Sequence, residues 1–105
     1  MARILIIEDD AALVDVLSLA FEDAGHAVDW ARDGADGLRR VQRDGPDLVI
    51  SDINMPRLDG FSLCRRVREA KDPVPIILLT SRDAEIGISA WKSRSFAYAS
   101  SSGRS

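Results

Sequence analysis

The order of apolar and polar positions along the chain predicts short strands that alternate with helices. Apolar runs that stop abruptly at polar or acidic residues, as buried strands of a parallel sheet do, occupy 3–8, 47–51 and 76–80. A shorter segment indicates one more strand at 27–31. Apolar residues recur at helical spacing over 11–24, 35–43 and 61–70. This alternation predicts right-handed βαβ crossovers and an α/β fold in which helices cover both faces of a parallel sheet.

The spacing also predicts which side chains face the core and which face solvent. The apolar stripe of the first helix is predicted to contain Leu13, Val14, Val16, Leu17, Ala20 and Phe21. The inward residues of the later helices are predicted to be Leu38, Val41, Leu63, Cys64 and Val67. A solvated helix face is expected for Arg65, Arg66 and Arg68. Turn or helix-capping roles are expected for Asp10, Asp59 and Asp83.

The composition describes one small globular domain. The chain has 105 residues, 46% of them hydrophobic, and a formal net charge of −3, which suits a single hydrophobic core. The only cysteine, Cys64, excludes an internal disulfide, and no cysteine and histidine cluster has zinc spacing. No apolar run approaches the roughly 20 residues of a membrane span. We therefore expect a cytoplasmic protein without membrane contact.

Charge and serine content change near residue 86. Every Asp and Glu lies before that position, and most of the serines lie after it. We therefore divide the chain into a domain core at 1–86 and an atypical Ser-rich C-terminal tail at 87–105.

Acidic residues follow two strands of the predicted sheet. Glu8 and Asp9 come at the end of the first strand, and Asp52 directly follows the strand at 47–51. Because the carboxyl ends of parallel strands share one edge, these carboxylates are expected to converge, where their mutual repulsion favours a bound cation. An oxygen-only donor set suits Mg²⁺, which commonly bridges to a phosphoryl group, and aspartate can accept phosphate covalently. The pattern therefore indicates metal-assisted phosphoryl transfer, with Thr80 supplying a hydroxyl at the same edge.

Three sequence blocks, in this order and spacing, resemble a known family. They are Ile-Leu-Ile-Ile-Glu-Asp-Asp at 4–10, the stretch with Ser-Asp-Ile-Asn-Met-Pro at 46–60, and Pro-Ile-Ile-Leu-Leu-Thr-Ser at 75–81. Over residues 3 to about 86 the chain resembles the receiver domain of bacterial two-component response regulators. The segment 81–85 is similar to the subfamily whose receivers precede a winged-helix DNA-binding domain. The resemblance implies a flavodoxin-like doubly wound sheet with strand order 2-1-3-4.

The resemblance also implies roles for the residues at the carboxyl edge. Asp52 corresponds to the phosphoacceptor, which takes a phosphoryl group from a sensor histidine kinase. Four residues would form the Mg²⁺ site, which also includes Asp52: Asp9 would bind the ion directly, Glu8 would act through water, and Asn54 would contribute its backbone carbonyl. Thr80 would be the switch hydroxyl that hydrogen-bonds a new phosphoryl oxygen.

The chain departs from the family pattern near its C-terminus. Family spacing from Asp52 places a Lys-Pro pair at about 102–103, where this chain has Ser102 and Gly103. A switch aromatic is expected near 99, where Ala99 follows Tyr98. A regular fifth strand is therefore not supported, and the last helix is missing. DNA would be reached only through an output domain that this chain lacks. Without the lysine we expect an impaired switch.

Two classes of function remain open from the sequence. In the first, the chain accepts a phosphoryl group on Asp52 with Mg²⁺ and is not an enzyme, apart from hydrolysing its own phosphoryl group. In the second, it is a phosphorylation-independent truncated receiver that binds proteins, by competing for the kinase or by forming a homodimer. A metal-dependent hydrolase is disfavoured because no general acid or base is found near the carboxylates.

Overall fold

The computed structural model describes residues 1–79, which form four strands and three helices in strict alternation. The strands are β1 (Arg3–Ile7), β2 (Ala27–Ala31), β3 (Leu48–Asp52) and β4 (Ile76–Leu79). The helices are α1 (Ala11–Asp23), α2 (Gly34–Asp44) and α3 (Gly60–Glu69). Each predicted element in this range is present, with boundaries that differ by no more than one residue. The predicted tail and the part of the chain where a fifth strand would fall, together with Thr80 and Asp83, lie outside the described residues.

All four strands are parallel and lie in the order β2-β1-β3-β4, which confirms the predicted topology. The central strands β1 and β3 pair directly, with Ile6 opposite Ile50 and Ile7 opposite Ser51. Each strand is joined to the next by a helix, so all four carboxyl ends lie at one edge of the sheet. Residues that follow β1 and β3 are therefore neighbours at the centre of that edge.

The two faces of the sheet bury separate hydrophobic clusters. Alternate strand residues, such as Leu5 and Val49, pack with Leu63 and Val67 of α3 and with residues of α2. The opposite strand positions, Ile4, Ile6, Ile50 and Leu79, pack with Val14 of α1. Burying a side chain of this size contributes roughly 1.5–3 kcal/mol relative to leaving it in water. The central strands are thus anchored on both faces, as their continuous apolar sequences predicted.

Each of the three helices begins after an aspartate that caps it. The carboxylate of Asp10 accepts hydrogen bonds from the N–H groups of Ala12 and Leu13, and Asp59 accepts one from Ser62. Asp33 caps α2 in the same way, a role that the sequence analysis did not assign. Such a cap stabilises a helix by about 1 kcal/mol. The capping interpretation of Asp10 and Asp59 is therefore confirmed.

The predicted apolar stripe of α1 was too wide. Val14 is buried and Leu13, Leu17 and Phe21 are partly buried, but Val16 is 66% exposed and Ala20 is also exposed. The reason is angular: at 100° per residue, Val16 lies about 200° around the helix from Val14. Because α1 packs on the sheet along one side, the residue opposite Val14 faces outward.

Arg68 is a second correction, because it does not belong to a solvated helix face. Its Nη1 donates to the carbonyl oxygen of Asp72 at 2.6 Å, and its Nη2 donates to that of Val74 at 2.7 Å. Arg65 and Arg66 are exposed, as predicted. Helical periodicity places all three residues on the helix surface, but the chain returns past Arg68 on its way to β4. The guanidinium therefore holds the α3–β4 connection.

Within residues 1–79, no helix combines the length and the apolar character that a membrane crossing requires.

Candidate functional site

Three carboxylates converge where β1 and β3 end. Glu8 and Asp9 follow β1, and Asp52 is the last residue of β3. One oxygen from each of the three carboxylates lies within 4.8 Å of the others. Glu8 and Asp52 are each 1% exposed, whereas Asp9 is exposed. The acidic pocket, by which we mean Glu8, Asp9 and Asp52, is therefore a mostly buried group of oxygens with one open side.

Glu8 is held on its main chain and on one side-chain oxygen. Its N–H donates to the carbonyl oxygen of Ala31 at 3.0 Å, and its own carbonyl oxygen accepts a 2.7 Å hydrogen bond from Trp30 Nε1. The Oε2 atom accepts from the N–H of Asp10 at 3.0 Å. Glu8 Oε1 is buried and has no hydrogen-bond partner among the described residues. A buried carboxylate oxygen of this kind is costly unless a cation or water satisfies it.

Burial also changes the acidity of Glu8. The pKa of this carboxyl is raised to about 7, chiefly because burial removes the group from water, and also by a side-chain hydrogen bond with Asp9 and by repulsion from the Asp52 and Asp9 carboxylates. The hydrogen bond from Asp10 acts in the opposite direction and is outweighed. A bound divalent cation would reverse the effect, because it favours the ionised carboxylate.

The loop after β3 is joined to the neighbouring strand and to α3. The N–H of Ile53 donates to the carbonyl oxygen of Leu79 in β4 at 3.0 Å, and the N–H of Gly60 donates to Ile53 at 2.9 Å. Asp52 Oδ1 accepts a 3.4 Å hydrogen bond from the N–H of exposed Asn54. A Cβ atom on Gly60 would lie 2.5 Å from the Asp52 carbonyl oxygen, so only glycine fits there. The start of α3 is thus packed directly behind the end of β3.

The outer part of this loop contacts α2. Arg57 has a left-handed backbone (φ 73°), and its Nε lies 3.4 Å from Oδ2 of Asp33, the α2 cap. A Cβ atom on Gly34 would lie 1.9 Å from the carbonyl oxygen of Leu58. Asp33, Gly34 and Arg57 have no recognisable role in the sequence, because nothing in their spacing indicates that α2 touches the β3–α3 loop.

The structure brings together Glu8, Asp9 and Asp52, and it places Asn54 two residues from Asp52 on the adjoining loop. Thr80 lies outside the described residues. The donor set of the acidic pocket consists of oxygens, as a hard cation such as Mg²⁺ requires. The unpartnered Glu8 Oε1 and the mutual repulsion of three carboxylates both favour a cation at this position. The residues present therefore fit Mg²⁺.

Comparison with known proteins agrees with the family resemblance of the three sequence blocks. Residues 4–96 match the response regulator receiver domain family. The chain is 43% identical over 88 residues to the transcriptional regulatory protein AfsQ1 of Streptomyces coelicolor, covering 84% of this chain and 39% of that protein. It is 43% identical over 82 residues to the response regulator MprA of Mycobacterium leprae, covering 78% and 36%. The chain thus spans less than half the length of these curated relatives.

Solved structures share the fold. The signal receiver domain of a signal transduction histidine kinase from Syntrophus aciditrophicus superposes with a TM-score of 0.73 at 36% identity, covering 76% of this chain and 62% of that chain. The receiver domain of the Francisella response regulator 1452 gives a TM-score of 0.78 at 25% identity, covering 98% and 78%. The flavodoxin-like topology and the sequence matches agree, and the chain belongs to the response regulator receiver domain family.

Proposed function

We propose that this chain accepts a phosphoryl group on Asp52 from a sensor histidine kinase, with Mg²⁺ held in the acidic pocket. Membership of the receiver family implies phosphorelay signalling, and receiver domains bind Mg²⁺ at an acidic pocket and partner with histidine kinases. The observation that carries the proposal is the convergence of Glu8, Asp9 and Asp52 oxygens within 4.8 Å around the unpartnered Glu8 Oε1. A group of this kind is suited to neutralising and orienting a transferred phosphoryl group.

Asp52 is the nucleophile in this proposal. One of its carboxylate oxygens attacks the phosphorus of the kinase phosphohistidine, so an O–P bond forms while the P–N bond breaks, and the bond electrons leave with the kinase imidazole. The main chain of Asp52 is fixed in β3, and the N–H of Asn54 donates to Oδ1. The carboxylate therefore enters the reaction already oriented, which lowers the entropic part of the barrier.

The remaining pocket residues would hold the ion. Asp9 and Asp52 would bind it through carboxylate oxygens, Asn54 through its backbone carbonyl, and Glu8 through a bound water. When present, Mg²⁺ would neutralise negative charge on the phosphoryl oxygens. Glu8 is buried and tethered, whereas Asp9 is exposed, so the pocket has a rigid inner wall and an open outer side.

The proposed response to phosphorylation is supported by the sequence. Thr80 would be the switch hydroxyl, and it follows Leu79 of β4 directly in the chain. Since Ser102 and Gly103 stand where the family has Lys-Pro, phosphoryl stabilisation and coupling to Thr80 would be weakened. Hydrolysis of the acyl phosphate by the domain itself would return it to the resting state. Transcriptional regulation, which the name of AfsQ1 states for that protein, would need an output domain.

The missing lysine also favours the alternative of a phosphorylation-independent module that binds the kinase or forms a homodimer. Both candidates keep the receiver fold and differ in whether Asp52 is modified. Only the first needs the acidic pocket to bind a cation.

Intact-protein mass spectrometry distinguishes the two candidates. The protein is incubated with Mg²⁺ and a small phosphodonor such as acetyl phosphate, beside Asp52→Asn and the exposed-residue control Asp15→Asn. We expect a labile adduct of about 80 Da, the mass of one added phosphoryl group, on wild type and Asp15→Asn but not on Asp52→Asn. A folded wild-type protein that binds Mg²⁺ without forming the adduct would overturn the proposal and leave the binding module.

A further inference from the structure

Trp30 lies in β2 beside the acidic pocket without belonging to it. In the sheet it pairs with Ile6, two residues before Glu8. Its ring is partly buried and packs against the hydrophobic cluster between the sheet and α1. From there the indole Nε1 donates a 2.7 Å hydrogen bond to the carbonyl oxygen of Glu8. A side chain on β2 thus reaches across to the main chain of a pocket residue on β1.

The indole is itself held from its exposed side. The guanidinium carbon of Arg32 lies 4.9 Å from the centroid of the Trp30 ring, within the range of a cation–π contact. The ring also packs against the hydrophobic cluster that contains Val14 of α1. These contacts and the hydrogen bond together orient the indole N–H toward Glu8.

The three hydrogen bonds that fix Glu8 differ in origin. The bonds to Ala31 and from Asp10 use main-chain groups of those residues, so a side-chain substitution does not remove them. The bond from Trp30 is the one, among these three, that depends on a particular side chain. Glu8 and Asp9 lie in a connection of three residues between β1 and α1, so a shift of the Glu8 carbonyl is passed to both carboxylates.

We propose that Trp30 is a positioning residue for the acidic pocket, which fixes the peptide after Glu8 and so directs the Glu8 and Asp9 carboxylates at the Mg²⁺ position. This inference rests on the proposed function, since it concerns the same cation. Hydrogen bonds one step removed from a metal ligand set its orientation, and losing one weakens metal binding. The geometry also makes the Trp30 indole N–H a reporter of the pocket.

The first measurement uses the wild-type protein. In a Mg²⁺ titration followed by ¹H–¹⁵N NMR, the Trp30 indole resonance is identified by its absence from Trp30→Phe. We expect it to shift with the same dissociation constant as the backbone amides of Asp9 and Asp10. Binding that moves those amides and leaves the Trp30 indole unshifted would overturn the inference.

The second measurement uses two variants and calorimetric titration with Mg²⁺ below their unfolding temperatures. Trp30→Phe keeps an aromatic ring but removes the N–H, and we expect about tenfold weaker binding. Arg32→Gln removes the stacked cation but keeps the N–H, and we expect a smaller loss. A purely structural role would lower the unfolding temperature of Trp30→Phe and leave its Mg²⁺ affinity at the wild-type value.

The outcomes separate the two proposals. If the wild type binds no Mg²⁺, both the proposed function and the inference are overturned. If the wild type binds and Trp30→Phe binds equally well, only the inference on Trp30 is overturned.

Discussion

The two connections next to the acidic pocket are held in different ways. Between β1 and α1, residues 8–10 are tied by short hydrogen bonds: Glu8 bonds to Asp10 and to the neighbouring β2 strand. Between β3 and α3, residues 53–59 are held from several directions, by β4 through Leu79 and by α2 through Asp33 and Gly34.

Because of this difference, the two connections are sensitive to different kinds of substitution. The β1–α1 connection places a buried, partly unsatisfied carboxylate in the pocket, so its weakness is electrostatic. The β3–α3 loop carries Asn54 and is exposed at several positions, so its shape depends on packing against α2. Charge changes should therefore act mainly on the first connection and steric changes mainly on the second.

The largest effect on stability is expected from Gly34→Ala, which adds a side chain on α2 where this helix contacts the β3–α3 loop. The added methyl group would lie 1.9 Å from the Leu58 carbonyl oxygen, so the loop or the helix must move. We expect the free energy of unfolding to fall by about 3 kcal/mol, as for overpacking at a rigid contact. Urea denaturation measures it, with Ala35→Ser at the next, exposed position as control. A loss below about 0.5 kcal/mol would show that the loop is not packed against α2.

The next effect concerns the β1–α1 connection and depends on pH. The folded pKa of Glu8 is about 7, above its ordinary value of 4.5, so the protonated group favours the folded state. In the absence of Mg²⁺, that contribution is fully present below pH 4.5 and is lost as pH rises to about 7. Glu8→Gln keeps a neutral side chain at all pH values. We therefore expect this variant to be more stable than wild type at pH 8 by about 2 kcal/mol.

Urea denaturation at pH 4.5 and pH 8 in a chelating buffer tests this expectation, and Glu22→Gln on the exposed side of α1 is the matched control. Added Mg²⁺ should stabilise the wild type at pH 8 more than it stabilises Glu8→Gln. Equal stability of wild type and Glu8→Gln at pH 8 without Mg²⁺ would contradict the electrostatic account of this connection.

The smallest effect is expected at Arg57, on the outer part of the β3–α3 loop. Its ion pair with Asp33 is largely exposed and contributes less than about 1 kcal/mol, while its left-handed backbone favours glycine. We expect Arg57→Gly to be more stable than Arg57→Ala by about 1 kcal/mol in thermal and urea denaturation. The same two substitutions at Arg65, which lies inside α3, should show the opposite order of stability, with Arg65→Ala more stable than Arg65→Gly. Arg57→Ala as the more stable variant would contradict this assignment.

Much of the fold was predictable because its signals are local. Apolar runs and helical spacing identified seven elements within residues 1–79, and neighbouring residues indicated turn or helix-capping roles for Asp10 and Asp59. The stripe of α1 was wrong at Val16 and Ala20, because periodicity does not show how much of a helix the sheet covers. Arg68 was misassigned because the carbonyl groups it binds belong to a connection beyond the helix.

The alternation of strands and helices, and with it the meeting of Glu8, Asp9 and Asp52, could be predicted from the residues alone, because carboxylates that end neighbouring parallel strands share an edge. The hydrogen bond from Trp30 to the main chain of Glu8 and the close packing of Gly34 against Leu58 are visible only in the folded protein. Those contacts join residues more than twenty positions apart. They depend on distances between packed elements, which no local pattern of residues contains.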